Sequence, residues 1–120
     1  LPFVDGKLQR TGQVGNGAIS VEEAAEDAKI VALNALSIVR AAVGSLDMVR
    51  RCVKLAGYVA SVSGFFGQPT VLNAASELLH DIFGKNGEHC RVAIGARSLP
   101  LNATVEIDFI FEIDSSYKSF

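Results

Sequence analysis

The segment "TVEIDFIFEI", residues 104–113, alternates without a break. Val105, Ile107, Phe109, Phe111 and Ile113 share one parity; Thr104, Glu106, Asp108, Ile110 and Glu112 share the other. Successive side chains of a strand point to opposite faces, so this period of two predicts a strand with one packed face and one wetter face. One strand cannot bury such a row alone. The rest of the chain must supply sheet partners and a layer to cover the apolar side.

Two stretches have the helical period that such a layer needs. Ser20-Val21-Glu22-Glu23 is a capping box, with acidic residues placed where the helix dipole favours them. Ala24, Ala28, Val31, Ala35, Ile38 and Ala42 then recur at helical spacing, with Glu22, Glu26, Lys29 and Arg40 on the polar side and Gly44 as the stop. The stripe is mostly small residues, which lets a helix lie close on a sheet. Pro69 suits the first turn of a second helix, for which Val71, Ala75, Leu78, Ile82 and Phe83 are the expected buried face. Asn73, Ser76, Glu77 and His80 fall on its opposite side, and Gly84 ends it.

Between the helices, "MVRRCVKLAGYVAS" (48–61) reads as a strand of mixed faces. Val49, Arg51, Val53, Leu55 and Val59 share one parity against Arg50, Lys54 and Tyr58. Cys90–Arg97 alternates again, and Leu99-Pro100-Leu101-Asn102 reads as a turn joining it to the last strand as a hairpin. At the start, Asp5-Gly6 favours a tight hairpin turn. "GQVGNG" reads as a flexible connection, since it lacks the Lys-Ser/Thr of a phosphate-binding loop. Residues 114–120 are expected to fray. The order ββαβαββ predicts an α+β fold, a mixed sheet with two helices packed on one face. The length suits one domain, residues 1–120, and its opening on Leu1 within a strand-to-turn segment predicts that an N-terminal strand precedes it.

A net charge of −2 with no Lys/Arg run argues against a nucleic-acid partner. The apolar stretches are too short and too often interrupted by charge to cross a membrane, and no signal-peptide pattern opens the chain. Cys52 and Cys90 read as reduced core thiols of a cytoplasmic protein. His80 and His89 have no third ligand at useful spacing, so no metal is expected. No cofactor motif is present.

Arg91 interrupts the apolar run of the Cys90 strand. A hairpin about the Leu99–Asn102 turn would set Glu106 opposite Gly95, on the face of Arg91 and roughly 13 Å from it at ~3.3 Å per residue. Ala93 and Gly95 between them are small. One reading is a shallow trough in which Arg91 grips a small carboxylate through its planar fork and Glu106 orients water. The other is a solvated strand face, with Arg91 pointing into water.

"CRVAIGARSLPLNATVEIDFIFEI" resembles the C-terminal signature of the reactive intermediate deaminase (Rid, YjgF-like) family, with Arg91, Leu99-Pro100 and Val105-Glu106 at the family's spacing. "LPFVDGKLQRTGQVG" is similar to the segment after that family's first strand, and "VLNAASELLHDIFG" to its second helix. The resemblance implies a chorismate-mutase-like fold and a homotrimer with small-molecule sites in clefts between subunits. It also implies hydrolysis of enamines and imines such as 2-aminoacrylate to 2-ketoacids and ammonia. By the same resemblance Arg91 holds the substrate carboxylate, Glu106 positions or activates water, and Asn73 lies near the site. Ala93 replaces the family's usual cysteine, the family's Tyr- and Ser-bearing first strand lies upstream of Leu1, and "AIGARSLPLN" is similar to a less-characterised subgroup of the family. Two function classes follow: an imine deaminase, or a non-catalytic trimeric protein binding a metabolite in the same cleft or serving a stress response. The name endoribonuclease or translation inhibitor, carried by many members, finds no basic stripe and no paired-histidine site in these residues.

Overall fold

The computed structural model describes residues 1–116, and its spine is a strand of 12 residues, Val49–Ala60. In chain order the elements are β1 (Phe3–Val4), β2 (Lys7–Leu8), α1 (Val21–Val43), β3 (Val49–Ala60), α2 (Gln68–Phe83), β4 (Cys90–Ala96) and β5 (Val105–Ile113). This is the ββαβαββ order read from the sequence, an α+β arrangement with both helices on a mixed sheet. α1 covers β5, and α2 covers β3 and β4.

Local chemistry sets the helix ends. Ser20 Oγ accepts from the Glu23 N–H while the Glu23 carboxylate accepts from the Ser20 N–H, and Gly44 closes α1 in the left-handed conformation. Asp5 and Gly6 both take positive φ, the geometry of the two-residue turn that joins β1 to β2. That hairpin is a separate two-stranded sheet.

The sheet order departs from expectation. β4 and β5 are not a hairpin: the order is β4-β3-β5, with β3 parallel to β4 and antiparallel to β5. Residues 97–104 carry the chain past the end of β3, turning at Leu101 and Asn102, both at φ 59°. Either side of β3 thus finds a partner that the adjacency of β4 and β5 in sequence conceals.

β3 also breaks the simple parity expected of it. Register shifts between Val49 and Arg51 and between Cys52 and Lys54 put Cys52, opposite Phe111, on the same face as Leu55, opposite Phe109. Cys52 is buried there, while Arg51 turns outward to Glu112. Cys90, expected in the core, is exposed on the opposite face of β4.

Both helices are rotated from the stripes read in the sequence. α2 buries Val71, Leu72, Ala75 and Leu79, while Ile82 is 43% exposed. Gly57 explains the rotation: a β-carbon there would overlap the Leu72 side chain, so its absence lets Leu72 sit directly on β3. α1 buries Ala24, Asp27, Ala28, Val31, Ala32 and Leu36, whereas Ile38 is 70% exposed beside a recess under the N-terminal hairpin.

The glycine-rich connection is a fastened loop. The N–H groups of Gly12, Val14 and Gly15 donate to the carbonyls of Asn102, Ala60 and Ile19. Asp114–Ser116 form a turn tied by the Asp114 N–H to Met48; the rest of the tail lies outside the described residues. No helix among the described residues is long and apolar enough to cross a membrane.

Candidate functional site

Arg91 sits on edge strand β4 opposite Leu55, on the sheet face that carries the helices. The edge position leaves its long side chain room to reach α2, where Nη1 donates to Asn73 Oδ1 at 2.9 Å and to Ser76 Oγ at 3.2 Å. The sequence places Asn73 and Ser76 three apart on one side of α2, so both face the same strand edge. Asn73 is exposed, as its stripe predicts, and still touches Arg91.

Both acceptors are neutral. Among the described residues no carboxylate comes within 4.0 Å of the Arg91 guanidinium, and its Nε and Nη2 make no hydrogen bond. The half-buried cation is therefore held by one nitrogen with its other donors free. It lines a cleft of about 290 Å³ with Ser76, His80, Gly87, Glu88 and His89.

Ser76, from the polar side of α2, and His89, which has no third metal ligand at useful spacing, are members of this site that the sequence pattern does not mark. Ser76 Oγ lies 2.9 Å from His89 Nε2, and His89 Nδ1 lies 2.6 Å from the Gly87 carbonyl. The cleft also brings His80 and His89 together, which the sequence reading did not anticipate. Among the described residues no three His, Cys, Asp or Glu side chains are grouped to hold a metal ion.

The expected trough does not form within one chain. Arg91, Ala93 and Gly95 do share a face, opposite Leu55, Gly57 and Val59. Glu106 pairs with Tyr58, three positions from Leu55 along a regular stretch of β3, so it points to the other face. The hairpin register put it opposite Gly95, on the face of Arg91; the intervening β3 removes it from that face. Ala93 packs against the core. Gly95 lines a second cleft, of about 560 Å³, with Gln13, Ser61, Phe65, Gln68 and Arg97. A β-carbon on Gly95 would come within 2.7 Å of the Gln68 amide nitrogen, which instead donates to Ser61 Oγ and the Phe65 carbonyl. Nothing in the spacing of Gln13, Ser61 and Gln68 announces this polar lining.

A buried charge network was also missed. Asp27 is fully buried on α1, with Arg10 Nη1 2.9 Å from one carboxylate oxygen and the Thr104 hydroxyl 2.6 Å from the other. Arg10 also donates to the Glu23 carbonyl. Burial pushes the Asp27 carboxyl above its ordinary range, against the opposing pull of Thr104 and Arg10. The signal available was an aspartate on the apolar side of α1.

Comparisons with known proteins agree with this architecture. The crystal structure of Atu1372 from Agrobacterium tumefaciens, a protein of unknown function, has a TM-score of 0.90 and 46% identity, covering 94% of this chain and 71% of its own. A structure from Shewanella oneidensis, titled a "putative endoribonuclease", has a TM-score of 0.88 and 29% identity, covering 93% of this chain and 74% of its own. Protein TCP17 of Trypanosoma cruzi is 41% identical over 106 residues, which is 88% of this chain. This chain spans 66% of TCP17. The family model described as "YjgF/chorismate mutase-like, putative endoribonuclease" matches residues 1–113, and the chain belongs to that family.

Proposed function

We propose that this protein hydrolyses small enamine and imine carboxylates of the 2-aminoacrylate type to 2-ketoacid and ammonia. The observation that carries the reading is the Arg91 guanidinium, fixed through Nη1 with its remaining donors free and no carboxylate among the described residues within 4.0 Å of it. Its fork matches a substrate carboxylate. Water then adds to the C=N carbon of the imine tautomer, and the carbinolamine so formed expels ammonia and leaves the ketone. Glu106 is proposed to position that water and take its proton.

Because Arg91 and Glu106 lie on opposite faces of one sheet, their cooperation calls for a second copy of the chain. The proposed assembly is a homotrimer with Arg91 of one subunit facing Glu106 of its neighbour. Exposed Val92, Ile94 and Ile110 on the Glu106 face supply apolar surface for such contact. The proposed setting is the cytoplasm.

The test couples the protein to a dehydratase that generates 2-aminoacrylate and follows pyruvate release. Acceleration above the spontaneous rate is expected. No acceleration, with ketoacid binding retained, selects the non-catalytic metabolite-binding reading. Refolding a mixture of Arg91→Ala and Glu106→Gln chains tests the shared cleft: mixed trimers regain activity where intact residues meet across an interface, and recover nothing if each site lies within one chain. For endoribonuclease chemistry, His80 and His89 line one cleft, but both His89 nitrogens are engaged by Ser76 and Gly87 and cannot serve a phosphodiester as they stand.

A further inference from the structure

The Gly87 carbonyl is placed by packing. Gly87 is buried, and a β-carbon there would overlap the backbone of Leu79 near the end of α2. Only glycine allows this approach, so the carbonyl that accepts from His89 is held by α2 itself.

Every proton direction beside Arg91 follows from that carbonyl. A carbonyl only accepts, so His89 Nδ1, 2.6 Å away, carries a hydrogen. In the neutral ring Nε2 is then a lone pair, and Ser76 Oγ, 2.9 Å away, donates its hydrogen to it. The Ser76 oxygen turns its own lone pairs to Arg91 Nη1 at 3.2 Å, and Asn73 Oδ1 takes the other Nη1 hydrogen. The guanidinium plane is fixed at one end, and the free Nε and Nη2 edge is left for a ligand.

We infer that Ser76 and His89 are positioning residues that hold Arg91 in its anion-binding pose and tie its affinity for a carboxylate to the proton on the His89 ring. The inference rests on the reading of Arg91 as the carboxylate anchor. When His89 gains a second proton, Nε2 becomes a donor to Ser76 Oγ, and the Ser76 hydrogen turns to a helix carbonyl one turn back, as helical serines do. A positive ring then stands one hydroxyl away from the guanidinium and adds its field to the anion site. His80 from α2 and Glu88 from the segment before β4 are the other ionisable groups lining the cleft; Asn73 and Ser76 are neutral. Glu88 opposes an anion, and His80 lines the same cleft as His89, so separate variants are needed.

The experiment titrates 2-oxobutanoate, ionised throughout, into wild type, Ser76→Ala, His89→Gln, His80→Gln and Arg91→Ala between about pH 7.5 and about pH 5.5. Wild-type affinity is expected to rise about 3- to 10-fold as pH falls, a gain of the size a second nearby charge supplies in partly screened surroundings. His80→Gln keeps this dependence and His89→Gln loses it. Ser76→Ala weakens binding about 3- to 10-fold at the higher pH, because the neutral relay no longer orients Nη1. Nitrogen NMR of the wild type, which needs no variant to fold, should show the neutral His89 ring with hydrogen on Nδ1. The opposite tautomer, or an unchanged pH dependence in His89→Gln, overturns the inference. Equal affinity of Arg91→Ala and wild type overturns instead the anchor reading on which it rests.

Discussion

Thr104 donates its hydroxyl to Asp27 across 2.6 Å, at a point that solvent does not reach and between residues 77 positions apart in the chain. With Arg10 on the other carboxylate oxygen, this contact joins α1 to the start of β5. Thr104→Val removes the donor and leaves Asp27 with one partner. A loss of about 1–3 kcal/mol is expected, measured by denaturant unfolding.

Asp27 also sets a pH dependence with a definite sign. Its folded carboxyl titrates above the ordinary value of 3.8, because burial disfavours the charge. The folded state therefore holds this proton more tightly than the unfolded chain. The stabilisation is full below the unfolded value and is lost as pH rises through the folded one. Asp27→Asn keeps an acceptor for Thr104 and has no such proton. Its stability deficit relative to wild type should shrink as pH rises through that window in paired thermal melts. A deficit that grows instead would mean that Arg10 outweighs burial.

Arg91 is expected to act through its fork. Removing a desolvated Arg–carboxylate contact costs about 2–4 kcal/mol, or about 30- to 1,000-fold in kcat/KM, so Arg91→Ala should lose that much. Arg91→Lys should recover part, since an ammonium makes no fork-to-fork contact. Glu106→Gln should lower kcat with ligand affinity largely kept. Steady-state kinetics beside 2-ketoacid titrations separate the two effects.

The close approach of α2 to β3 at Gly57 is testable by overfilling. Gly57→Ala drives a methyl into Leu72, and a loss of about 1–3 kcal/mol is expected for the forced rearrangement. Leu72→Ala in the same background should lose less than the sum of the single changes, because each makes room for the other. Strict additivity would show that the two do not compete for that space.

The two thiols should behave differently. Cys52 is buried, which pushes its thiol up and makes it a poor nucleophile in any folded form. Cys90 is exposed on a single chain, on the face proposed to meet a neighbour. Light scattering should give a trimer mass at micromolar concentration, with Cys90 slow toward a disulfide reagent and faster on dilution into monomers. Cys→Ala variants at both positions should keep activity. Rapid Cys90 labelling with a monomer mass would remove the trimer.

Features written in neighbouring residues were legible in the sequence. The capping box at Ser20 and the stop at Gly44 bound α1 because cap chemistry is settled within one turn. The alternation of residues 104–113 gave β5 and its core face, since β5 runs unbroken against β3, but Thr104, read on the wetter face, lies just before the strand and is buried against Asp27. β3 itself was misread in its first half, where two register shifts reverse the parity that alternation assumes. The hairpin between β4 and β5 failed because strand pairing is a choice among distant partners, and nothing near residue 99 reports that β3 lies between. That error carried Glu106 to the face of Arg91. Arg91 stood out as a cation in an apolar strand, Asn73 entered through the family resemblance, and the structure puts them in contact. Ser76, His89 and Gly87 were hidden because their roles depend on a turn after α2 that folds a carbonyl back onto the site.

The sheet order has a consequence for synthesis. Both neighbours of β3 follow it in the chain, and β5, which α1 covers, comes last. Until β5 has left the ribosome, one edge of β3 offers unpaired backbone groups, and the apolar side of α1 has no strand beneath it. Contacts of such long sequence separation are slow to form and leave sticky surface exposed meanwhile. α1 is made well before the strand it covers.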